Sequence, residues 1–151
     1  MKLTDAEIEK LRQSGIRLDA DGRFWHEGQE VTHHGLRAAF WRWLDRNPDG
    51  RFVLRLDDKR FVYLDVDDAP YVVRSARWDG DRVIVRLSDD SEEELDYGSL
   101  HLRDNGQPYC TVKSARFAAR VATAAWSTFG ERIEDGALVA AGARFPITTK
   151  T

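Results

Sequence analysis

The sequence predicts an α+β protein of mainly antiparallel, curved sheets. It reads as two similar hairpin–helix–hairpin halves, joined by a central hairpin and preceded by a short helix. Three observations predict this class. Short runs with period-two apolar alternation dominate the chain, and Asp-Gly or Asn-Gly turns separate them. Helix caps or helical apolar stripes occur in three places, near residues 4, 32 and 114. The turn and helix anchors also recur at a nearly constant distance. Asp21-Gly22 and Asn105-Gly106 are 84 residues apart (106 − 22), Trp41 and Trp126 85, Asp49-Gly50 and Asp135-Gly136 86, and Arg60-Phe61 and Arg144-Phe145 84.

Each element has its own signal. Thr4-Asp5-Ala6-Glu7 is a capping-box pattern, predicting a helix to Gln13 that stops at Ser14-Gly15, with Ile8 and Leu11 as its narrow apolar stripe. Ile16–Leu18 and Arg23–His26 flank the turn Asp19-Ala20-Asp21-Gly22. Thr32 is the expected N-cap of a helix reaching Arg46, because Leu36, Ala39, Phe40, Trp43 and Leu44 fall at i, i+3, i+4, i+7 and i+8. Arg51–Leu56 and Arg60–Val66 make a hairpin around Asp57-Asp58-Lys59. Tyr71–Trp78 and Arg82–Leu87 make another around Asp79-Gly80-Asp81, followed by an acidic turn and a strand at Glu94–Tyr97. Between these hairpins lies the corner Asp65-Val66-Asp67-Asp68-Ala69-Pro70, where proline, lacking an N–H, belongs at a strand edge or bend. Leu100–Arg103 and Pro108–Val112 then pair around Asp104-Asn105-Gly106. Ser114 is read as the cap of a helix to Phe129, stopped by Gly130, and Ala137–Ala140 and Arg144–Ile147 close the chain as a hairpin. The resulting segments are 1–15 (helix), 16–70 (first half), 71–99 (central strands), 100–147 (second half) and 148–151 (tail).

Composition excludes several classes. At 151 residues, 42% hydrophobic and 32% charged, the chain is long enough to bury a core and is not of disordered composition. A net charge of −3 with interleaved signs argues against a dedicated nucleic-acid binder. No apolar run approaches the roughly 20 residues of a membrane span. With no signal-peptide pattern at the N-terminus, a cytoplasmic protein is expected. Cys110 is the only cysteine, so there is neither a disulfide framework nor a thiolate cage for zinc.

Asp67-Asp68-Ala69-Pro70-Tyr71 resembles the acidic-Asp-Ala-Pro-aromatic signature of a bacterial family filed as domain of unknown function 1285. Asp21-Gly22-Arg23-Phe24-Trp25 ahead of a Thr-His helix start, Pro108-Tyr109, and Gly142-Ala143-Arg144-Phe145-Pro146-Ile147 fit in the same order, so the likeness spans roughly residues 15–147. It implies internally repeated α+β motifs. It also implies a ligand-binding part in signalling, and it carries over no catalytic residue. The chain departs from the family pattern at Gly98-Ser99-Leu100-His101, where a His-Pro pair is expected, and in its Ala-rich second helix.

Catalytic and metal motifs fail on their chemistry. Ser99, His101 and Asp104 lack a nucleophile-elbow glycine pattern. A calcium loop starting at Asp65 would place Pro70 where glycine is required and Ala76 where glutamate is required. Asp89 to Glu94 reads as a solvated acidic turn. Adjacent His33 and His34 diverge by about 100° on a helix, too far apart to share a metal. No metal, cofactor or catalytic residue is therefore assigned. His34, Arg37 and Trp41 instead share one helix flank, where an imidazole, a cation and an aromatic plane suit an anionic or planar ligand. The expected function is non-enzymatic binding of a small anionic or aromatic molecule in a groove between the halves, lined by His34, Arg37, Trp41, Asp67, Tyr71 and Arg74. The alternatives are a partner-binding or homo-oligomerisation module using Trp41 and Trp126, and a hydrolase using Asp65, Asp67 or Asp68. Neither nucleic acid nor membrane is an expected partner.

Overall fold

The computed structural model describes residues 4–150, with backbone only for Ile8, Lys10 and Leu11, so the stripe expected from Ile8 and Leu11 lies outside the described side chains. The fold is α+β, mostly strands, in antiparallel and mixed sheets. Two compact units divide it, Met1–Asp68 and Ala69–Thr151.

The first unit contains α1 (Asp5–Leu11), β1 (Gln13–Leu18), β2 (Phe24–His26), β3 (Gln29–Glu30), α2 (His34–Trp43), β4 (Leu44–Arg46), β5 (Phe52–Arg55) and β6 (Phe61–Val66). Its six strands run in the order β3-β2-β1-β6-β5-β4, antiparallel except for the parallel β1–β6 pair. One half of the capping box forms, since Thr4 Oγ1 accepts from the Glu7 N–H at 3.2 Å, while the Glu7 carboxylate accepts from the Thr4 hydroxyl at 3.0 Å. Ser14-Gly15, expected as the helix stop, lies inside β1. Ser14 Oγ donates to the Tyr63 carbonyl at 2.6 Å, and Gly15, at φ +69°, occupies the irregular step between Gln13 and Arg17 in the pairing with β6. The turn before β2 is as expected. Asp19 Oδ1 accepts from the Asp21 and Arg23 amides at 2.9 Å, and Oδ2 from Trp25 Nε1 at 2.8 Å. Burial alone would raise the Asp19 carboxyl, but these bonds hold it below the usual range.

The second helix is shorter than expected at both ends. Its N-cap is His33, not Thr32, because the His33 Nδ1 accepts from the Leu36 N–H at 3.1 Å. It stops at Trp43, since Leu44 adopts extended dihedrals and pairs with Leu54. Leu44 is buried as a strand residue, so the apolar stripe ran across a helix–strand junction. Leu36, expected in the core, is 41% exposed. The first turn of α2 thus overhangs a core of Leu18, Phe24, Ala39, Phe40, Leu44, Val53, Leu54 and Leu64. Phe24 is the keystone, with its ring 5.2 Å from Phe40 and 4.8 Å from Trp41, both edge-on.

The second unit contains β7 (Tyr71–Asp79), β8 (Arg82–Leu87), β9 (Glu92–Glu94), a 3-10 turn (Tyr97–Ser99), β10 (His101–Arg103), β11 (Pro108–Val112), β12 (Phe117–Val121), α3 (Thr123–Gly130), β13 (Ile133–Glu134), β14 (Ala137–Ala140), β15 (Ala143–Pro146) and β16 (Thr148–Lys150). Seven strands follow the order β16-β10-β11-β12-β7-β8-β9, with β12–β7 and β10–β16 parallel, and β13-β14-β15 form a small separate sheet. α3 buries Ala125 and Phe129, and Trp78 Nε1 donates to the Thr128 carbonyl at 3.1 Å to tie it to β7. The 148–150 segment, read as tail, is strand β16, and the strand expected at Glu94–Tyr97 runs from Glu92 to Glu94.

The helix expected from Ser114 to Phe129 is corrected by the structure. Residues 113–116 are a hairpin turn, Phe117–Val121 is a strand, and α3 begins only at Thr123. Phe117 and Val121 sit four apart, but so do alternate strand residues. The inward set Phe117, Ala119 and Val121 follows period two. The turn was concealed because it contains no glycine, asparagine or proline.

The element order β1-β2-β3-α2-β4-β5-β6 recurs as β10-β11-β12-α3-β13-β14-β15. Arg17 pairs with Trp25, and His101 with Tyr109, each position shifted by 84 (101 − 17 and 109 − 25). Among the described residues, no helix is long and apolar enough to cross a membrane.

Candidate functional site

α2 places three predicted residues on one flank. His34 is exposed at its first position, Arg37 is half-buried one turn on, and Trp41 is half-buried with its ring against Phe24. Among the described residues, neither the His34 ring nor the Arg37 guanidinium has a hydrogen-bond, ion-pair or ring partner. Other half-buried arginines are engaged. Arg12 lies over Phe61 at 3.8 Å, Arg17 pairs with Asp67, Arg55 reaches Asp45 at 3.0 Å, and Arg132 donates to the Gly80 carbonyl at 2.8 Å over Trp78. Arg120 also has a partner. Arg37 stands apart from them.

The other predicted residues have different surroundings. Asp67 donates its N–H to the Leu18 carbonyl at 3.0 Å, and its carboxylate is ion-paired with Arg17, committed to a cation rather than to another carboxylate. Asp65 is exposed on β6, and Asp68 is half-buried and engaged. Tyr71 is only 4% exposed, its ring 5.4 Å from Phe117. Arg74 is exposed on β7 and, among the described residues, has no side-chain partner.

One polar cluster escaped sequence reading. Lys113 Nζ donates to Asp89 Oδ2 at 2.7 Å and to Ser91 Oγ at 2.9 Å, while Ser91 Oγ donates to Asp89 Oδ1 at 2.5 Å. The Lys113 N–H points at the Glu93 carboxylate, at 3.2 and 3.3 Å. Burial pushes the Asp89 carboxyl up, but the bonds from Lys113 and Ser91 outweigh it and hold the group below its usual range. Because Lys113 Nζ donates to Ser91 Oγ as well as to Asp89, it offers that hydroxyl no base. Nothing in the local sequence announces the cluster, because Lys113 is 24 residues from Asp89 (113 − 89).

The rejected chemistries gain nothing from the geometry. His101 Nδ1 meets the Ser99 carbonyl at 2.8 Å, while Ser99 Oγ donates to the Asp96 carbonyl at 2.7 Å. The hydroxyl and imidazole are therefore not coupled. Cys110 is buried, and burial, then Asp96 and Glu93, push its thiol up to about 12, leaving an unreactive neutral group. Among the described residues, no group of three or more His, Cys, Asp or Glu side chains is placed to hold a metal. A depression of about 240 Å³ on the β7–β8–β9 face is lined by Arg77 and Arg86, which already face Glu92 at 3.4 and 3.9 Å.

Two solved structures share this architecture. A DUF1285 family protein from Silicibacter pomeroyi DSS-3 superposes with a TM-score of 0.73 at 21% identity, over 89% of this chain and 80% of that one. A second, a DUF1285 family protein from Shewanella baltica OS155, gives a TM-score of 0.63 at 16% identity, over 79% of this chain and 92% of that one. The chain has the DUF1285 fold. That agrees with the family resemblance, and at these identities it speaks for the fold alone. No family model matches the sequence, and no curated protein matches it. The DUF1285 fold brings no assigned reaction, so function rests on the residues above.

Proposed function

We propose that this protein is a non-enzymatic binder of a small anionic molecule, one with a planar or aromatic part, seated on the α2 flank. Arg37 supplies the charge, Trp41 the planar face and His34 a further donor. Asp67, on the same unit as α2, is engaged by Arg17. The single supporting observation is Arg37, half-buried and without an anionic partner among the described residues. A partly desolvated guanidinium without a carboxylate gains from an arriving carboxylate or phosphate, which it grips through two parallel N–H bonds. The regulatory, signalling use of that ligand is supported only by the family resemblance. The shared element order and the 84-residue shift in strand pairing support two copies of one unit at 16–66 and 100–147. Failure of those segments to superpose would remove that idea.

A thermal-shift screen of anionic metabolites and nucleotides is the test. A binder held at 100 times its Kd adds about 2.7 kcal/mol, or roughly 5–11 °C in Tm for a chain of this size. Arg37→Gln is expected to abolish the shift, and Arg42→Gln, exposed on the same helix, to leave it unchanged. A broad set that moves neither protein overturns the reading.

Leu36, 41% exposed in the same turn, favours a second reading, a surface for a partner or a second copy. Its expected result is a solution mass that rises with concentration and no longer does so in Leu36→Glu. A constant monomer mass up to millimolar concentration would exclude self-association.

A further inference from the structure

The turn joining β11 to β12 is bent in a way its residues disfavour. Lys113, Ser114 and Ala115 have successive φ values of +57°, +57° and +63°. A tight hairpin turn with positive φ at both central positions matches the twist of its strands, and Asn-Gly normally supplies it. Here the central residues are Ser114 and Ala115, whose Cβ atoms crowd the neighbouring carbonyls in the left-handed region. Contacts from the β8–β9 turn and from β9 hold the first residue at two points. Lys113 Nζ bonds Asp89 at 2.7 Å and Ser91 at 2.9 Å, and its N–H bonds the Glu93 carboxylate at 3.2 Å.

The same turn lies over an aromatic pair. The Lys113 ammonium is 5.4 Å from the Tyr71 ring centroid, and the Arg116 guanidinium 5.1 Å from that of Phe117. The two rings are 5.4 Å apart, each 4% exposed. We propose that residues 113–116 form a strained strap, latched shut over Tyr71 and Phe117 by Lys113, and that releasing Lys113 lets the turn relax and uncovers the rings. The latch stores conformational strain that side-chain contacts offset, so the two are energetically coupled. This device stands independently of the ligand reading for α2.

The test is a double-mutant cycle on the full chain, read by thermal melts and amide hydrogen exchange. Glycine accepts the left-handed region without strain, so Ala115→Gly is expected to raise Tm. The gain should disappear in a Lys113→Met background, where the turn is already relaxed. Lys113→Met should also accelerate exchange at the Arg116 amide, which bonds the Lys113 carbonyl at 3.2 Å, by tenfold or more, without accelerating β14. Should Lys113→Met fold poorly, Ser91→Ala removes one latch contact and is expected to reduce the glycine gain partially. An equal gain from glycine in all backgrounds, a fall in Tm on Ala115→Gly, or unchanged exchange would each overturn the strap.

Discussion

Phe24→Ala is expected to destabilise the protein by about 3–5 kcal/mol, the cost of emptying a buried aromatic site that its neighbours refill only partly. Phe24 is 1% exposed, with edge-on contacts to both Phe40 and Trp41. It comes from β2, while those rings come from α2, so its removal loosens the seat of the helix as well as opening a cavity. Urea unfolding should show the midpoint falling with the m-value unchanged. The Tm should drop by roughly 6–20 °C for a chain of this length. Phe24→Leu, which keeps most of the volume, should lose less than half as much. A change under 1 kcal/mol in Phe24→Ala would show that α2 is seated by something other than this ring.

Asp89→Asn is expected to cost about 1–3 kcal/mol at pH 7, because it leaves the Lys113 ammonium without its charged partner in a mostly enclosed site. Asp89 is 13% exposed and Lys113 27%, so this pair is screened less than the exposed ion pairs elsewhere on the chain. The sign of the pH dependence follows from the direction of the shift. Burial tends to raise the Asp89 carboxyl, but Lys113 and Ser91 bring it below its ordinary value in the folded chain. A carboxyl depressed on folding contributes stability fully present above the unfolded pKa, about 3.9, and lost as pH falls through the lower folded value. The stability gap between the native chain and Asp89→Asn should therefore be flat from pH 7 to about 5 and close below about pH 4. Parallel denaturation curves at each pH measure it. A gap that persists unchanged to pH 2 would mean that Asp89 is not the titrating member.

Where a segment states its own turn chemistry, sequence and structure agree. Asp19 through Gly22, Asp79 through Asp81 and Asp104 through Gly106 all form turns between antiparallel strands, because short polar side chains and glycine bend the backbone using local bonds alone. The Ser114–Phe129 stretch shows where that logic ends. Its turn residues are Lys, Ser, Ala and Arg, and the left-handed bend there is held by Asp89, Ser91 and Glu93, 20 or more residues away. A helical reading of Phe117 and Val121 was open to any argument confined to neighbours in the chain.

The α2 flank divides in the same way. Spacing on a helix suffices to group His34, Arg37 and Trp41. Spacing does not reveal whether each charge finds a partner. Arg17 pairs with Asp67, 50 residues on, whereas Arg37, equally basic and equally half-buried, meets no carboxylate among the described residues.

The amino-acid sequence by itself determined the α+β class, the turns built from Asp, Asn and Gly, and the DUF1285 resemblance that the fold supports. Those depend on period, propensity and local hydrogen bonds, all of which act over a few residues. Tertiary structure alone decided that β12 replaces half a helix, that Lys113 meets Asp89 and Ser91, and that Arg37 meets no carboxylate among the described residues. Each of those outcomes is set by which distant groups arrive within about 3 Å of one another, a distance that no local pattern encodes.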